Sequence, residues 1–132
     1  MKVKTSELTD IALDWAVSRA KGIDAELNYG ECVYWDHERN SNGKVICANS
    51  VRVVWNPSTN WAQGGPIIER EGISTRFAPA DARGVWYAVL GKNRFLSPDF
   101  EGSGPTPLIA AMRCYVASKL GDDVAVPENL KG

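Results

Sequence analysis

Thr106-Pro107-Leu108-Ile109-Ala110-Ala111-Met112-Arg113-Cys114-Tyr115-Val116-Ala117-Ser118-Lys119-Leu120-Gly121 is the stretch that decides the fold. Thr106 is a good N-cap, because its short oxygen can accept from an orphan amide one turn on. Pro107 suits the first helical position, where a missing N–H costs nothing. Leu108, Ile109, Met112, Tyr115, Val116 and Leu120 then share one face at helical spacing. Ala110, Cys114 and Ala117 line the far side with small residues, so that side is open to further protein. Gly121 stops the helix. A helix this apolar needs another layer to cover it.

Working back from the helix, residues 97–105 contain Pro98, Gly102, Gly104 and Pro105 and read as a loop. Val85–Leu90 is a β-branched and aromatic run bounded by Gly84 and Gly91, a good strand. Ile73–Phe77 and Ile67–Glu71 read as strands around Gly72. Residues 56–66, Asn56-Pro57-Ser58-Thr59-Asn60-Trp61-Ala62-Gln63-Gly64-Gly65-Pro66, read as a long polar loop. Val51–Trp55 and Lys44–Ala48 are strand-like, and Asn42-Gly43 suits the tight turn of a hairpin with Cys32–Trp35. At the other end, Thr5 or Ser6 can cap a helix with Leu8, Ile11, Ala12, Trp15 and Ala16 on one face. Asp10, Asp14, Ser18 and Lys21 gather on its water side, and Gly22 ends it. The expected architecture is α+β: a small antiparallel β-sheet packed by an N-terminal and a C-terminal helix. One domain over 1–132 fits a chain of this length. The two end helices should bury Leu8, Trp15, Met112 and Val116.

Composition narrows the class without naming a function. A hydrophobic share of 44% and a charged share of 23% are ordinary for a globular protein. The net charge of −1 sets up no global field for nucleic acid or membrane. Its distribution is uneven: −4 over residues 1–38, +5 over 39–94 and −2 over 95–132. The N-terminus lacks the apolar core of a signal peptide, and no apolar run approaches the roughly 18 residues of a membrane span. The expected address is the cytoplasm, with no membrane partner.

Three stretches resemble a family, the NinX-like phage proteins. The first is Met1-Lys2-Val3-Lys4-Thr5-Ser6-Glu7-Leu8-Thr9 with Ala12-Leu13-Asp14-Trp15-Ala16-Val17. The second is Pro57-Ser58-Thr59-Asn60-Trp61-Ala62-Gln63-Gly64-Gly65-Pro66-Ile67-Ile68-Glu69-Arg70-Glu71. The third is Gly104-Pro105-Thr106-Pro107-Leu108-Ile109-Ala110-Ala111-Met112-Arg113 with Val126-Pro127. Residues 28–52 depart from the family pattern and are read as an inserted β-hairpin. The resemblance implies an accessory protein of a temperate phage or prophage of enteric bacteria. It brings with it no activity and no catalytic residue.

The residues themselves argue against several chemistries. Cys32, His37, Cys47 and Cys114 have the numbers for a zinc site, but there is no Cys-x-x-Cys spacing. A turn at Asn42-Gly43 would place Cys32 opposite Val53 and Cys47 opposite Glu38, far apart. Neither metal, cofactor nor disulfide is expected. Cys32 and His37, five residues apart on a strand, would face opposite ways. Gly102–Pro107 opens onto a helix start that could attract an anion, yet Pro105 and Pro107 remove two donors.

What remains is the loop 56–66. Trp61 offers a broad face, and Asn60 and Gln63 offer donors and acceptors. With Thr106 at the start of the last helix, these are the candidate partner-binding residues, on the expectation that loops 56–66 and 97–105 lie side by side. The leading reading is a non-enzymatic protein that binds a host or phage macromolecule, chiefly a protein. The alternative is a single-stranded nucleic-acid binder, with Trp55, Trp61, Trp86, Tyr87 and Phe95 interleaved among the basic residues of the middle segment. A third is a small ligand-binding protein or enzyme with a pocket between the loops. Nothing in the sequence speaks to oligomeric state.

Overall fold

The helix read from Thr106 organises the molecule. In the computed structural model, which describes residues 2–39, 45–78, 85–91 and 99–127, it is α3 (Pro107–Leu120). The side chains of residues 37–39 and 45–50 lie outside that description, as does the Asn42-Gly43 turn. The Thr106 hydroxyl accepts from the Ile109 amide at 3.1 Å, closing the cap. Burial reaches both sides of α3: Leu108, Met112, Tyr115 and Val116, and also Ala110, Cys114 and Ala117.

The small side of α3 lies on an antiparallel sheet, β5 (Ser74–Ala78), β6 (Val85–Leu90) and β7 (Phe100–Gly104), in that order. β7 corrects the reading of 97–105 as a loop: residues 100–104 form a strand. Glycine is poor in strands by itself, but here it lets two backbones meet. A Cβ on Gly102 would sit 2.4 Å from the Ala110 carbonyl oxygen and 2.5 Å from the Cys114 nitrogen. One on Gly104 would sit 2.7 Å from Ile109 Cγ2.

On its other side α3 meets α1 (Asp10–Lys21). The expected burial holds at Leu8, Trp15, Met112 and Val116, although α1 packs on α3 and β3 (Glu31–Arg39) rather than on the β5–β7 sheet. The N-cap of α1 is Thr9, not Thr5 or Ser6. Thr5 begins a single 3-10 turn (Thr5–Glu7) and has another task. Its hydroxyl donates to the Gly121 carbonyl at 2.6 Å and its amide to the Asp122 carbonyl at 2.8 Å. There β1 (Lys2–Lys4) pairs with β8 (Asp123–Ala125). Asp14 and Ser18 also depart from expectation, being buried rather than facing water. Ser18 satisfies its hydroxyl on the Trp15 carbonyl at 2.6 Å; the partner of Asp14 is described below.

A second sheet orders β2 (Glu26–Asn28), β3 and β4 (Val45–Val54). Its two-residue turn is Tyr29-Gly30, with φ of 52° and 78°, both left-handed as such a turn demands. β4 is one continuous strand where two were expected. Between His37 and Arg39 the register shifts, β4 running from Ser50 to Val45 against two steps on β3, so the Trp55 amide, not Val53, meets the Cys32 carbonyl, at 2.7 Å. Such a bulge is invisible to a count outward from the turn.

The largest correction is α2 (Trp61–Glu71), a helix where a loop and a strand were expected. Asn60 caps it, its Oδ1 accepting from the Ala62 amide at 3.0 Å, and Gly72 ends it at φ 68°. The Gly64-Gly65-Pro66 run hides the helix, since all three are poor helix formers. Tertiary contact overrides them. Ile67 is buried, Gly64 lies where a Cβ would strike the Pro57 carbonyl and Leu108, and Lys119 reaches Glu71 at 3.1 Å. The result keeps the α+β class, with the antiparallel strands of the described residues gathered in three small sheets.

Candidate functional site

Two side-chain amides shape the segment ahead of α2. Gln63 accepts from the Asn56 amide through Oε1 and donates through Nε2 to the Val54 carbonyl, both at 2.7 Å. Asn60, besides capping α2, donates from Nδ2 to Asn56 Oδ1 at 3.2 Å. Asn60 and Gln63 therefore fold the loop and end β4. Their donors and acceptors are turned onto their own chain.

The turn so fixed brings the start of α2 against the start of α3. Between them runs a groove of about 220 Å³, walled by Ser58, Thr59 and Trp61 on one side and by Thr106, Pro107, Leu108 and Ile109 on the other. Trp61 is 57% exposed at its rim, so it does not plug the core. Gly65, one turn along α2, underlies the ring, which would lie 3.9 Å from a Cβ there. The structure thus brings Trp61 and Thr106 together and sets Asn60 and Gln63 behind them as supports. The Thr106 hydroxyl accepts at the helix cap, and an indole, a proline ring and aliphatic carbons line the groove beside Ser58 and Thr59.

Asp14 is the residue that sequence reasoning missed. It is 5% exposed, and its Oδ1 accepts from the Ser58 amide at 2.9 Å. Burial, the largest influence, pushes its carboxyl up to about 6, against the lowering effect of the bonds from Ser58. Helical spacing places Asp14 with Asp10 and Ser18, so the sequence offers no signal that this carboxylate turns inward.

Cys32 and Cys114 are buried free thiols, pushed up by burial to about 11 and about 12. Such thiols stay protonated and are poor nucleophiles. The side chains of His37 and Cys47 lie outside the described residues. A larger cleft, about 350 Å³, opens between β7 and the β1–β8 ribbon with Arg113 in its wall. The Arg113 guanidinium donates through Nε to the Leu8 carbonyl at 2.9 Å and through Nη1 to the Ser103 carbonyl at 2.7 Å. It is a tie between three segments, and Lys4, Glu101, Asp122 and Asp123 give the cleft charges of both signs. Of the aromatics of the middle segment, Trp55 is buried, Trp86 packs on Phe77 with centroids 5.2 Å apart, and Phe95 lies outside the described residues.

Among the described residues, no helix is long and apolar enough to cross a membrane. No curated protein matches the chain. The family model described as Bacteriophage P22, NinX matches residues 4–119, a span that takes in 28–52 and most of the chain, and the protein therefore belongs to that phage family.

Proposed function

We propose that this NinX-family protein is a non-enzymatic accessory protein that captures a host or phage protein through the Trp61–Thr106 groove. The observation that carries this is the exposed indole of Trp61 beside Pro107, Leu108 and Ile109. Binding energy at protein interfaces concentrates in such aromatic anchors next to small apolar depressions. The size of the groove favours the same reading. Sites for small molecules usually enclose roughly 300–1,000 Å³ with several converging polar groups. At about 220 Å³ this one suits a single inserted side chain. Its nearby side-chain amides are already turned onto their own segment, so little remains to orient a polar substrate.

Affinity capture from phage-infected cells tests the reading, with tagged wild type and Trp61→Ala compared before and after nuclease treatment. The expected result is a nuclease-resistant partner that Trp61→Ala loses while its unfolding stays cooperative. Equal recovery by both proteins would sink the groove as the site. Recovery that nuclease abolishes would move the reading to single-stranded nucleic acid.

A further inference from the structure

We infer that Asp14 is the anchor of the groove wall, and that gain or loss of its proton sets how firmly Ser58, and with it the Trp61 rim, is held. The regulatory part rests on the groove being the binding site; the anchoring part does not. The argument begins with position. Asp14 lies on α1, inside the core, while Ser58 is itself a wall residue of the groove three positions before Trp61. The 2.9 Å bond from the Ser58 amide to the carboxylate is buried and spans 44 residues of sequence. It ties the groove segment to α1.

The surroundings make this bond sensitive to protonation. Among the described residues no cation pairs with Asp14 within 4.0 Å. The titratable groups that sense it are Asp10, one turn earlier on its own helix, and the Cys32 thiol on β3. The first repels the ionised carboxylate and the second is protonated at neutral pH, so neither neutralises it. The Ser58 segment offers only hydrogen bonds, from its amide and its hydroxyl. An ionised carboxylate accepts from both donors strongly, because bonds to a charged acceptor are about twice as strong as neutral ones. Once protonated, the acid has one fewer acceptor site and a proton that must find an acceptor of its own. Acidification therefore relieves the burial of charge while loosening the hold on Ser58. The core gains and the groove wall slackens in the same step.

The test uses the full chain, labelled with ¹⁵N, and no partner. The probes are the Ser58 backbone amide and the Trp61 indole N–H, followed from about pH 8 to about pH 4.5. Both should move with one midpoint near 6, the value to which burial brings Asp14. Protection of the Ser58 amide against hydrogen exchange, corrected for intrinsic pH dependence, should fall roughly 5-fold across that midpoint. Asp14→Asn should abolish the shared titration. Ser58→Ala, which keeps the amide and removes the hydroxyl, should retain it, and gives a second route should Asp14→Asn not fold. A Ser58 amide indifferent to pH would overturn the anchor. A titrating Ser58 with a static Trp61 indole would overturn its link to the rim. Neither outcome depends on partner capture, so the anchor and the proposed function fail separately.

Discussion

Adding a single methyl group at three glycines should give three different outcomes. At Gly102 the new carbon would lie 2.4 Å from the Ala110 carbonyl oxygen and 2.5 Å from the Cys114 nitrogen, both backbone atoms of α3. Ordinary contact needs about 3.4 Å, so the helix must retreat by about 1 Å along a buried seam. Overpacking of this kind costs roughly 1–3 kcal/mol where side chains can yield. Against rigid helix backbone, Gly102→Ala should lie at or above the top of that range. Gly104→Ala meets first the Ile109 side chain, at 2.7 Å, and should cost less. Gly65 sits inside α2, where an added carbon has only Trp61 Cε3 at 3.9 Å. Here helix propensity should dominate, and Gly65→Ala should stabilise by roughly 0.5–1 kcal/mol. Urea unfolding of the three variants at neutral pH gives the comparison, with unchanged m-values confirming that midpoints report stability. A Gly102→Ala protein within about 1 kcal/mol of wild type would refute the close seating of α3 on β7.

Burial of ionised Asp14 gives a stability signature of definite sign. Its carboxyl is raised from 3.8 to about 6, so between those values the folded protein binds more protons than the unfolded chain, and this group's contribution to stability increases as pH falls. The full effect is at most about 3 kcal/mol; the difference between wild type and Asp14→Asn should change with pH across that window, and a constant difference would count against it. Arg113→Met should cost about 2–4 kcal/mol, because it strands the Leu8 and Ser103 carbonyls, and Arg113→Lys should not restore both bonds; equal unfolding midpoints for Arg113→Met and wild type would rule out the tie. Met112→Ala, at a fully buried position, should cost about 2–5 kcal/mol in the same assay.

The elements that were legible in the sequence are those whose local signals agree with their tertiary role. α3 carries its cap, its proline and its apolar face within one stretch, and β6 runs between the expected Val85 and Leu90. β7 and α2 were obscured for a shared reason: glycine there serves contact between elements and contradicts the local propensity. A signal for α2 did exist, since Asn60 with Gln63 three residues on, closed by Gly72, has the spacing of a capping box. Its Gln63 in fact reaches Asn56 instead of the Asn60 amide. The geometry of the candidate site was half legible. An aromatic in a polar stretch marks Trp61, but whether an amide faces a ligand or its own backbone depends on geometry that composition does not hold. Asp14 was illegible because a buried carboxylate and a solvated one can occupy the same place in a helical pattern.

The joining of Thr5 to Gly121 and Asp122 bears on the order in which the protein can be made. During synthesis α1 emerges long before α3, the helix it packs on, and β1 waits for β8. The early segment must hold Leu13, Trp15 and Val17 without their final cover until α3 and β8 are out. Contacts that close only at such separation favour slow folding and leave apolar surface open meanwhile. A nascent chain stalled before Asp123 should therefore bind chaperones and resist native collapse, whereas one released past Ala125 has every segment that its core needs. Translation speed across α3 and β8 would then bear on how long that apolar surface stays open.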